Sequence, residues 1–468
     1  MIVKIDYFKG KRITVFGLGL HGGGVGAVRF LVDHGARVIV TDIKAREQLA
    51  SSLEKIKGLK NVEYVLGQHR TEDFTKVDMV IKTPPAPWNN KHIKLALDND
   101  VPVEIDSSLF FKLCKNPIIG VTGTKGKTTT ATIIYEILKS AGKNPVRVGI
   151  GQASVLDKLD ILKKDSVVVF ELSSWRLSAL GRIKMSPHIA VFKNILPDHM
   201  NYYQSMEKYL QDKKNIFLYQ KPKDWLVINN DDDFLKGIMG EVGSQIIKFS
   251  NSPITSGHSI FADDSSIYIN DGNDAKELIK IEDIKIKGKH NISNVMAAAG
   301  AAYAYGVALP EIKKSVLEFK GVPHRREFIR EFKGVEYYND TSATIPQAVI
   351  SAIESFDRPV ILIAGGNDKG LDFSELGEIV AKKIKGVVFL KGTATEKLMI
   401  QVRKNLPDNE KEEEFRIVDS MDKAVEMATH SAEEGDVVLL SPGAASLGLF
   451  LNEFDRGDKF KEAVNGLK

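Results

Sequence analysis

The sequence has little cysteine, little net charge and no long apolar run. Its single cysteine, Cys114, cannot close a disulfide within the chain, so no disulfide framework supports the fold and a reducing, intracellular setting is expected. Lys plus Arg (65) nearly balances Asp plus Glu (61), leaving a formal net charge of +4 over 468 residues. A surplus that small excludes the basic coat of a nucleic-acid-binding protein, while leaving room for local basic pockets that hold phosphate. No run approaches the roughly 18 apolar residues of a membrane span. Lys4 and Asp6 fall where a secretory leader needs an apolar core. A cytoplasmic protein with neither nucleic-acid nor membrane partners is therefore expected. Low-complexity tracts and short-period repeats are missing as well. What remains is globular: 43% hydrophobic and 27% charged residues fit ordinary packed cores. At roughly 150 residues per domain, the length predicts about three domains.

Short β-rich runs alternate with helical patterns, which predicts an α/β architecture with mostly parallel sheets. The strand candidates fall in three series: 12–16, 36–41 and 79–82; then 118–122, 167–171, 189–194 and 226–229; then 360–364, 386–390 and 437–441. A proline-rich break, Thr83-Pro84-Pro85-Ala86-Pro87, interrupts the first series. Asn116-Pro117 precedes the second and Gly321-Val322-Pro323 the third, so turn residues sit where linkers are needed. The expected domains are 1–114, 115–321 and 322–468.

Glycine-rich loops follow strands in these units. Gly17-Leu18-Gly19-Leu20-His21-Gly22 matches GxGxxG after a strand and before a helix, with Asp42 beyond the next strand. Such glycines let backbone approach a diphosphate at a helix N-terminus, and the acid binds ribose hydroxyls. A nicotinamide dinucleotide meets that requirement, and so does a UDP-sugar. A tight turn without ligand is the plain alternative, and Asp42 is as readily an ordinary strand-end residue. His21 is as readily a solvated loop residue as a diphosphate contact.

Gly123-Thr124-Lys125-Gly126-Lys127-Thr128-Thr129-Thr130 follows the strand 118–122. Backbone amides at a helix N-terminus cradle phosphates, Lys127 reaches the β and γ phosphates, and the Thr128 hydroxyl suits Mg²⁺. The strict P-loop pattern wants glycine where Val121 stands. Glu171 ends a strand candidate, and Asp198-His199 follow another at the equivalent edge, where open parallel sheets bind ligands. Hard oxygen ligands beside a phosphate loop point to a magnesium nucleotide.

Five segments resemble the Mur ligases, the ATP-dependent amide ligases of peptidoglycan precursor synthesis. They are the loop 123–130, Glu171-Leu172-Ser173-Ser174, the stretch 194–199, Gly288-Lys289-His290-Asn291-Ile292-Ser293-Asn294, and Pro323-His324-Arg325. Their order and spacing fit essentially the whole chain. The resemblance implies a Rossmann-like N-terminal domain for a UDP-substrate, a central P-loop domain for ATP and a Rossmann-like C-terminal domain for the amino acid. It implies that Gly123, Thr124, Lys125, Gly126, Lys127, Thr128 and Thr129 hold ATP, with Asn291, Asn294, Arg325 and Asp340 contacting the nucleotide. Gly17, Gly19, Leu20, His21 and Asp42 would face the UDP group. Thr128, Glu171, His199 and Lys213 would hold Mg²⁺, Lys213 as a carbamate; by local pattern alone Lys213 is a solvated helical lysine. CO₂ turns a neutral lysine amine into an anion that can sit beside magnesium.

Within the family, Tyr338-Asn339-Asp340-Thr341-Ser342-Ala343-Thr344, Gly365-Gly366-Asn367-Asp368-Lys369-Gly370 and Ser441-Pro442-Gly443-Ala444-Ala445-Ser446 resemble the D-glutamate-adding member. Lys369 would then oppose a glutamate carboxylate, with Thr344 and Ser446 donating hydrogen bonds, and a cation plus hydroxyls suits a dicarboxylic amino acid. The sequence departs from that pattern at Pro85, Gly149-Ile150-Gly151-Gln152, Asn201, Ser342, Ile345 and Glu453. The implied substrates are UDP-N-acetylmuramoyl-L-alanine, glutamate and ATP, joined through an acyl phosphate by a monomer. Rival readings are a ligase of the family adding another amino acid such as L-glutamate, a folate-glutamating relative, a nicotinamide oxidoreductase and a non-catalytic nucleotide-binding protein.

Overall fold

In the computed structural model the described residues are 5–19, 22–149, 154–198, 200–286, 288–368, 370–407, 415–446 and 448–468. Runs rich in β-branched and aromatic residues form the central strands, as such side chains pack on a pleated, buried surface. Strand β1 (Arg12–Phe16) pairs in parallel with β2 (Arg37–Asp42) and with β4 (Met79–Lys82). Adding β3 (Val62–Leu66) and β5 (Val103–Glu104) gives a first parallel sheet in the order β3-β2-β1-β4-β5.

The second sheet is built around β6 (Ile118–Thr122), whose five residues are all buried. Its parallel neighbours are β8 (Ser166–Glu171) and β9 (Ile189–Phe192). The remaining members are β7 (Asn144–Val148), β10 (Trp225–Asn229), β11 (Gln245–Ser250), β12 (His258–Ala262), β13 (Ser266–Asp271) and β14 (Ala275–Lys280), in the order β14-β13-β12-β11-β10-β9-β6-β8-β7. Only the β12-β13-β14 end of that sheet is antiparallel among the described strands.

Both sheets lie in one compact unit, Met1–Phe319. One hydrophobic core runs from Phe8 and Leu31 on the first sheet's side to Phe170, Leu180 and Phe217 on the second's. Polar contacts join them too. Trp88 Nε1 donates to Ser178 Oγ at 3.1 Å, and an Arg176–Asp106 ion pair closes at 3.2 Å.

The second unit, Lys320–Lys468, carries the third sheet. It contains β15 (Glu327–Phe332), β16 (Val335–Asn339), β17 (Val360–Gly365), β18 (Gly386–Leu390), β19 (Arg416–Val418) and β20 (Val437–Leu440), in the order β15-β16-β20-β17-β18-β19. All its described pairings are parallel except β15–β16. The last strand in the chain therefore inserts between β16 and β17, so the loops leaving β16, β17 and β20 share one edge. The α/β architecture with mostly parallel sheets is as the sequence predicts. Strands absent from the sequence reading, such as β7 with Pro145 and Arg147 and β14 reading Ala-Lys-Glu-Leu-Ile-Lys, sit at sheet edges where polar residues are tolerated.

Candidate active site

The buried strand β6 delivers the chain into the loop after Thr122, and the helix Lys127–Ser140 leaves it. Gly126 caps that helix with φ at 82°, a left-handed conformation costly for other residues. A side chain there would also collide, because an added Cβ would lie 2.4 Å from Asn294 Oδ1. The Lys127 ammonium folds back over the loop, donating to the carbonyls of Gly123 at 2.8 Å and Thr124 at 3.0 Å. The N–H groups of Thr124 and Lys125 both donate to Asn194 Oδ1, each at 2.9 Å. One side-chain oxygen thus collects two loop amides of the kind that receive phosphate oxygens.

Glu171 ends β8, and the Thr128 hydroxyl donates to its Oε2 at 3.0 Å. A hydroxyl and a carboxylate side by side at a helix N-terminus form a hard-oxygen pair suited to Mg²⁺ on a nucleotide. Lys213 lies beside them on the helix Met206–Lys214 and is 1% exposed. Its Nζ donates to Gly123 O at 3.1 Å and to Thr122 Oγ1 at 3.3 Å. Burial, reinforced by the Lys127 charge, pushes its ammonium well below the ordinary lysine range, against a smaller opposing pull from Asp198. His199, the remaining expected ligand, lies outside the described residues. Among the described residues, no group of three or more His, Cys, Asp or Glu is gathered for a metal.

The other face of the loop is held by the helix Lys289–Ala304. Thr130 Oγ1 donates to Asn294 Oδ1 at 3.2 Å, and Asn294 Nδ2 donates to Asn291 Oδ1 at 3.1 Å. The structure thereby brings Lys127, Thr128, Glu171, Lys213, Asn291 and Asn294 around one loop. It also places a residue there that the sequence reading passed over. Lys193 is fully enclosed, with its Nζ 3.0 Å from Ser293 Oγ, and burial pushes its ammonium well down.

At the first glycine loop, Asp42 acts on backbone. Its Oδ2 accepts from Gly19 N–H at 3.1 Å and its Oδ1 from Lys44 N–H at 3.0 Å. Each carboxylate oxygen keeps a further lone pair for a hydroxyl. Gly17 closes against the first sheet through Thr41 O at 2.8 Å. Leu20 and His21 lie outside the described residues. The proline-rich turn after β4 folds around Lys82, whose Nζ donates to the carbonyls of Thr83, Pro84 and Ala86 at 3.4, 3.2 and 2.7 Å. Burial pulls that ammonium down to about 7.

In the second unit, Asp340 sits in the loop after β16, where it accepts from Arg326 N–H and from Ser441 Oγ, each at 3.0 Å. Burial pushes its carboxyl up to about 6. Arg325, next to Arg326 in sequence, is exposed, and Thr344 and Ser446 lie in the loops after β16 and β20. Those loops are tied by Gly443 N–H donating to Ala343 O at 2.8 Å. Asn367 and Ala445 exchange backbone hydrogen bonds at 2.9 and 3.0 Å, which adds the loop after β17. Lys369 of that loop lies outside the described residues.

Comparison with known proteins gives three family matches along the chain. Residues 11–104 match the Mur ligase MurD-like N-terminal domain, 121–302 the Mur ligase middle domain, and 324–443 the Mur ligase glutamate ligase domain. The UDP-N-acetylmuramoylalanine--D-glutamate ligase of Roseiflexus sp. is 39% identical over 462 residues, covering 97% of this chain and 98% of that one. The protein of the same name from Clostridioides difficile is 36% identical, covering 98% and 99%. Among solved structures, the UDP-N-acetylmuramate-alanine ligase of Thermotoga maritima shares the fold, with a TM-score of 0.53 at 19% identity and coverage of 98% and 100%.

Proposed function

The chain belongs to the Mur ligase family, and from that premise we propose that it joins D-glutamate to UDP-N-acetylmuramoyl-L-alanine at the expense of ATP. The enzyme class is an ADP-forming acid–amino-acid ligase of peptidoglycan precursor synthesis. The observation that carries this reading is the gathering of Lys127, Thr128, Glu171 and Lys213 around one phosphate-type loop, in a chain matching such ligases over nearly its full length.

The substrate's terminal carboxylate attacks the γ-phosphate of ATP, giving an acyl phosphate and ADP. The amine of D-glutamate then attacks the acyl carbon, and the tetrahedral adduct collapses to an amide and phosphate. Lys127 neutralises charge on the phosphates, and the loop amides of Thr124 and Lys125 exchange the Asn194 oxygen for phosphate oxygens. Gly123, Gly126 and Thr129 complete the loop, and Asn291 and Asn294 approach the nucleotide; Arg325 and Asp340 are assigned to nucleotide binding on the family resemblance.

Mur ligases use ATP and Mg²⁺. Thr128 and Glu171 offer the hard oxygens that fit the cation, and His199 with a carbamylated Lys213 would complete the set. The bound ion would supply charge neutralisation on the phosphates. An enclosed amine driven toward its neutral form is the species that reacts with CO₂, which supports carbamylation of Lys213.

We assign residues 1–114 to the UDP-substrate, with Gly17, Gly19, Leu20, His21 and Asp42 at the diphosphate and ribose. Residues 115–321 take ATP, and 322–468 take the amino acid through Thr344, Lys369 and Ser446. The working form is a cytoplasmic monomer. No helix among the described residues is long and apolar enough to cross a membrane. The test is phosphate release with UDP-N-acetylmuramoyl-L-alanine and a panel of amino acids. Release that requires both the UDP-substrate and D-glutamate is expected, and release independent of both overturns the reading.

A further inference from the structure

The helix Glu453–Asn465 contains Arg456, which is 0% exposed although its neighbours Glu453, Asp455, Asp458 and Lys459 make the stretch look like a solvated helix face. A buried guanidinium is expensive unless its donors are met, and here each of its three nitrogens finds a partner in one of two loops. Nε donates to Thr341 Oγ1 at 2.9 Å, Nη2 to Thr341 O at 3.0 Å and Nη1 to Ala444 O at 3.2 Å. Those partners are two carbonyls and a hydroxyl, all neutral. The Thr341 hydroxyl passes the constraint on by donating to Glu453 O at 2.8 Å. Arg456 therefore bridges the loop after β16, three residues before Thr344, to the loop after β20, two residues before Ser446.

The next residue shows how closely the helix is fitted to this edge. A Cβ on Gly457 would lie 2.3 Å from His324 Nδ1 and 2.5 Å from Thr341 Cγ2. Asn339 Nδ2 donates to the Gly457 carbonyl at 3.3 Å, at the end of β16 itself. The helix is seated against the loop base with no room for a side chain, and the planar guanidinium reaches both loops at once. Lysine, with one rotatable charged centre, cannot reproduce that fork.

We propose that Arg456 is the positioning residue of the amino-acid site, fixing the spacing between the Thr341–Thr344 and Ala444–Ser446 segments so that Thr344 and Ser446 address the same substrate. This rests on the assignment of those two hydroxyls to the amino acid made above. Arg456 touches neither substrate nor nucleotide; it acts through the loops that do.

The experiment is steady-state phosphate release by the full-length enzyme, with KM measured separately for D-glutamate, ATP and UDP-N-acetylmuramoyl-L-alanine, and thermal midpoints recorded in parallel. Losing a set of hydrogen bonds from a charged donor predicts that Arg456→Met raises KM for D-glutamate by about tenfold or more. The other two KM values should stay within about twofold, with Arg456→Lys falling between the wild type and the methionine variant. Val380→Ala, a truncation on the helix Ser374–Lys383 in the core of the same unit, reports what destabilisation alone does and should leave all three KM values near wild type. Should Arg456→Met fail to fold, Thr341→Val removes only the bridging hydroxyl and should raise the same KM selectively, by about threefold. An equal rise in all three KM values, no rise for D-glutamate, or the same selective rise in Val380→Ala overturns the role of Arg456. Wild-type enzyme that uses no amino acid overturns the underlying reading instead. If another amino acid of the panel is the one used, its KM replaces that of D-glutamate in the comparison.

Discussion

The Thr128 hydroxyl donates to Glu171 Oε2 at 3.0 Å, joining the first turn of a helix to a strand end 43 residues away. Both groups are oxygen donors, and the bond fixes them side by side at the mouth of the phosphate-type loop. Glu171→Gln keeps the volume and one acceptor oxygen, and replaces the other oxygen and the charge with a neutral amide NH₂. We expect kcat to fall by about a hundredfold and half-maximal activity to need more Mg²⁺. A titration of activity against Mg²⁺ checks this, and an unchanged curve would take Glu171 out of the metal site.

Lys213 is enclosed, and burial assisted by the Lys127 charge lowers the pH at which its amine becomes neutral. Enzyme equilibrated with ¹³C-bicarbonate should show a carbamate carbon signal by NMR that disappears on acidification. Lys213→Gln should lack the signal and lose nearly all turnover. A wild-type spectrum without it, in enzyme that is fully active, would show that the unmodified amine suffices.

Asp340 makes a pH-dependent contribution to stability. Its carboxyl titrates at about 6 in the fold, pushed up mainly by burial, against roughly 3.9 in an unfolded chain. The folded state therefore holds the proton more tightly. The stability this supplies is complete below the unfolded value and is lost as pH rises from about 4 through 6. Asp340→Asn stays neutral throughout, so relative to wild type it should gain up to about 2 kcal/mol between pH 4 and 7.5. Thermal unfolding of both proteins at the two pH values measures this difference directly. A difference that does not change with pH would exclude a burial-strained carboxylate.

Gly126→Ala combines a positive φ with a Cβ 2.4 Å from Asn294 Oδ1. The backbone term alone costs about 1–2 kcal/mol, and Asn294 must also move away from the loop. KM for ATP should rise about tenfold while KM for D-glutamate is unaffected. Equal effects on both substrates would mean that the substitution acts by general unfolding.

Much of this site is legible in the sequence because its geometry is local. Glycines around a lysine and a hydroxyl, between a buried strand and a helix, specify the loop by themselves, and Glu171 is marked by its place at a strand end. Lys213 is different: its helix reads as polar, and only its tertiary setting, with Nζ brought to Thr122 and Gly123 at the end of β6, shows the amine to be enclosed. Asn194 engages the amides of Thr124 and Lys125 from about 70 residues away, a pairing set by the adjacency of β6 and β9 that no spacing rule reveals. Arg456 is hidden for the same reason, since its partners lie 115 and 12 residues distant. The first glycine loop shows the converse. Its fingerprint is clear, yet the Asp42 carboxylate is engaged with backbone, at Gly19 of the loop and at Lys44 just beyond β2, so the pattern alone could not say which ribose-bearing ligand it serves.

The shared core of the first two sheets bears on how this chain can be dissected and recombined. Cutting after Phe319 parts the two compact units and leaves the core that runs from Phe8 to Ile238 whole. Cutting near Cys114 would divide that core and strip Trp88 from Ser178, leaving two fragments with apolar faces bared to water. Fragment complementation or exchange of modules between homologues is therefore practicable at the later junction, whereas the earlier one must be inherited as a matched pair.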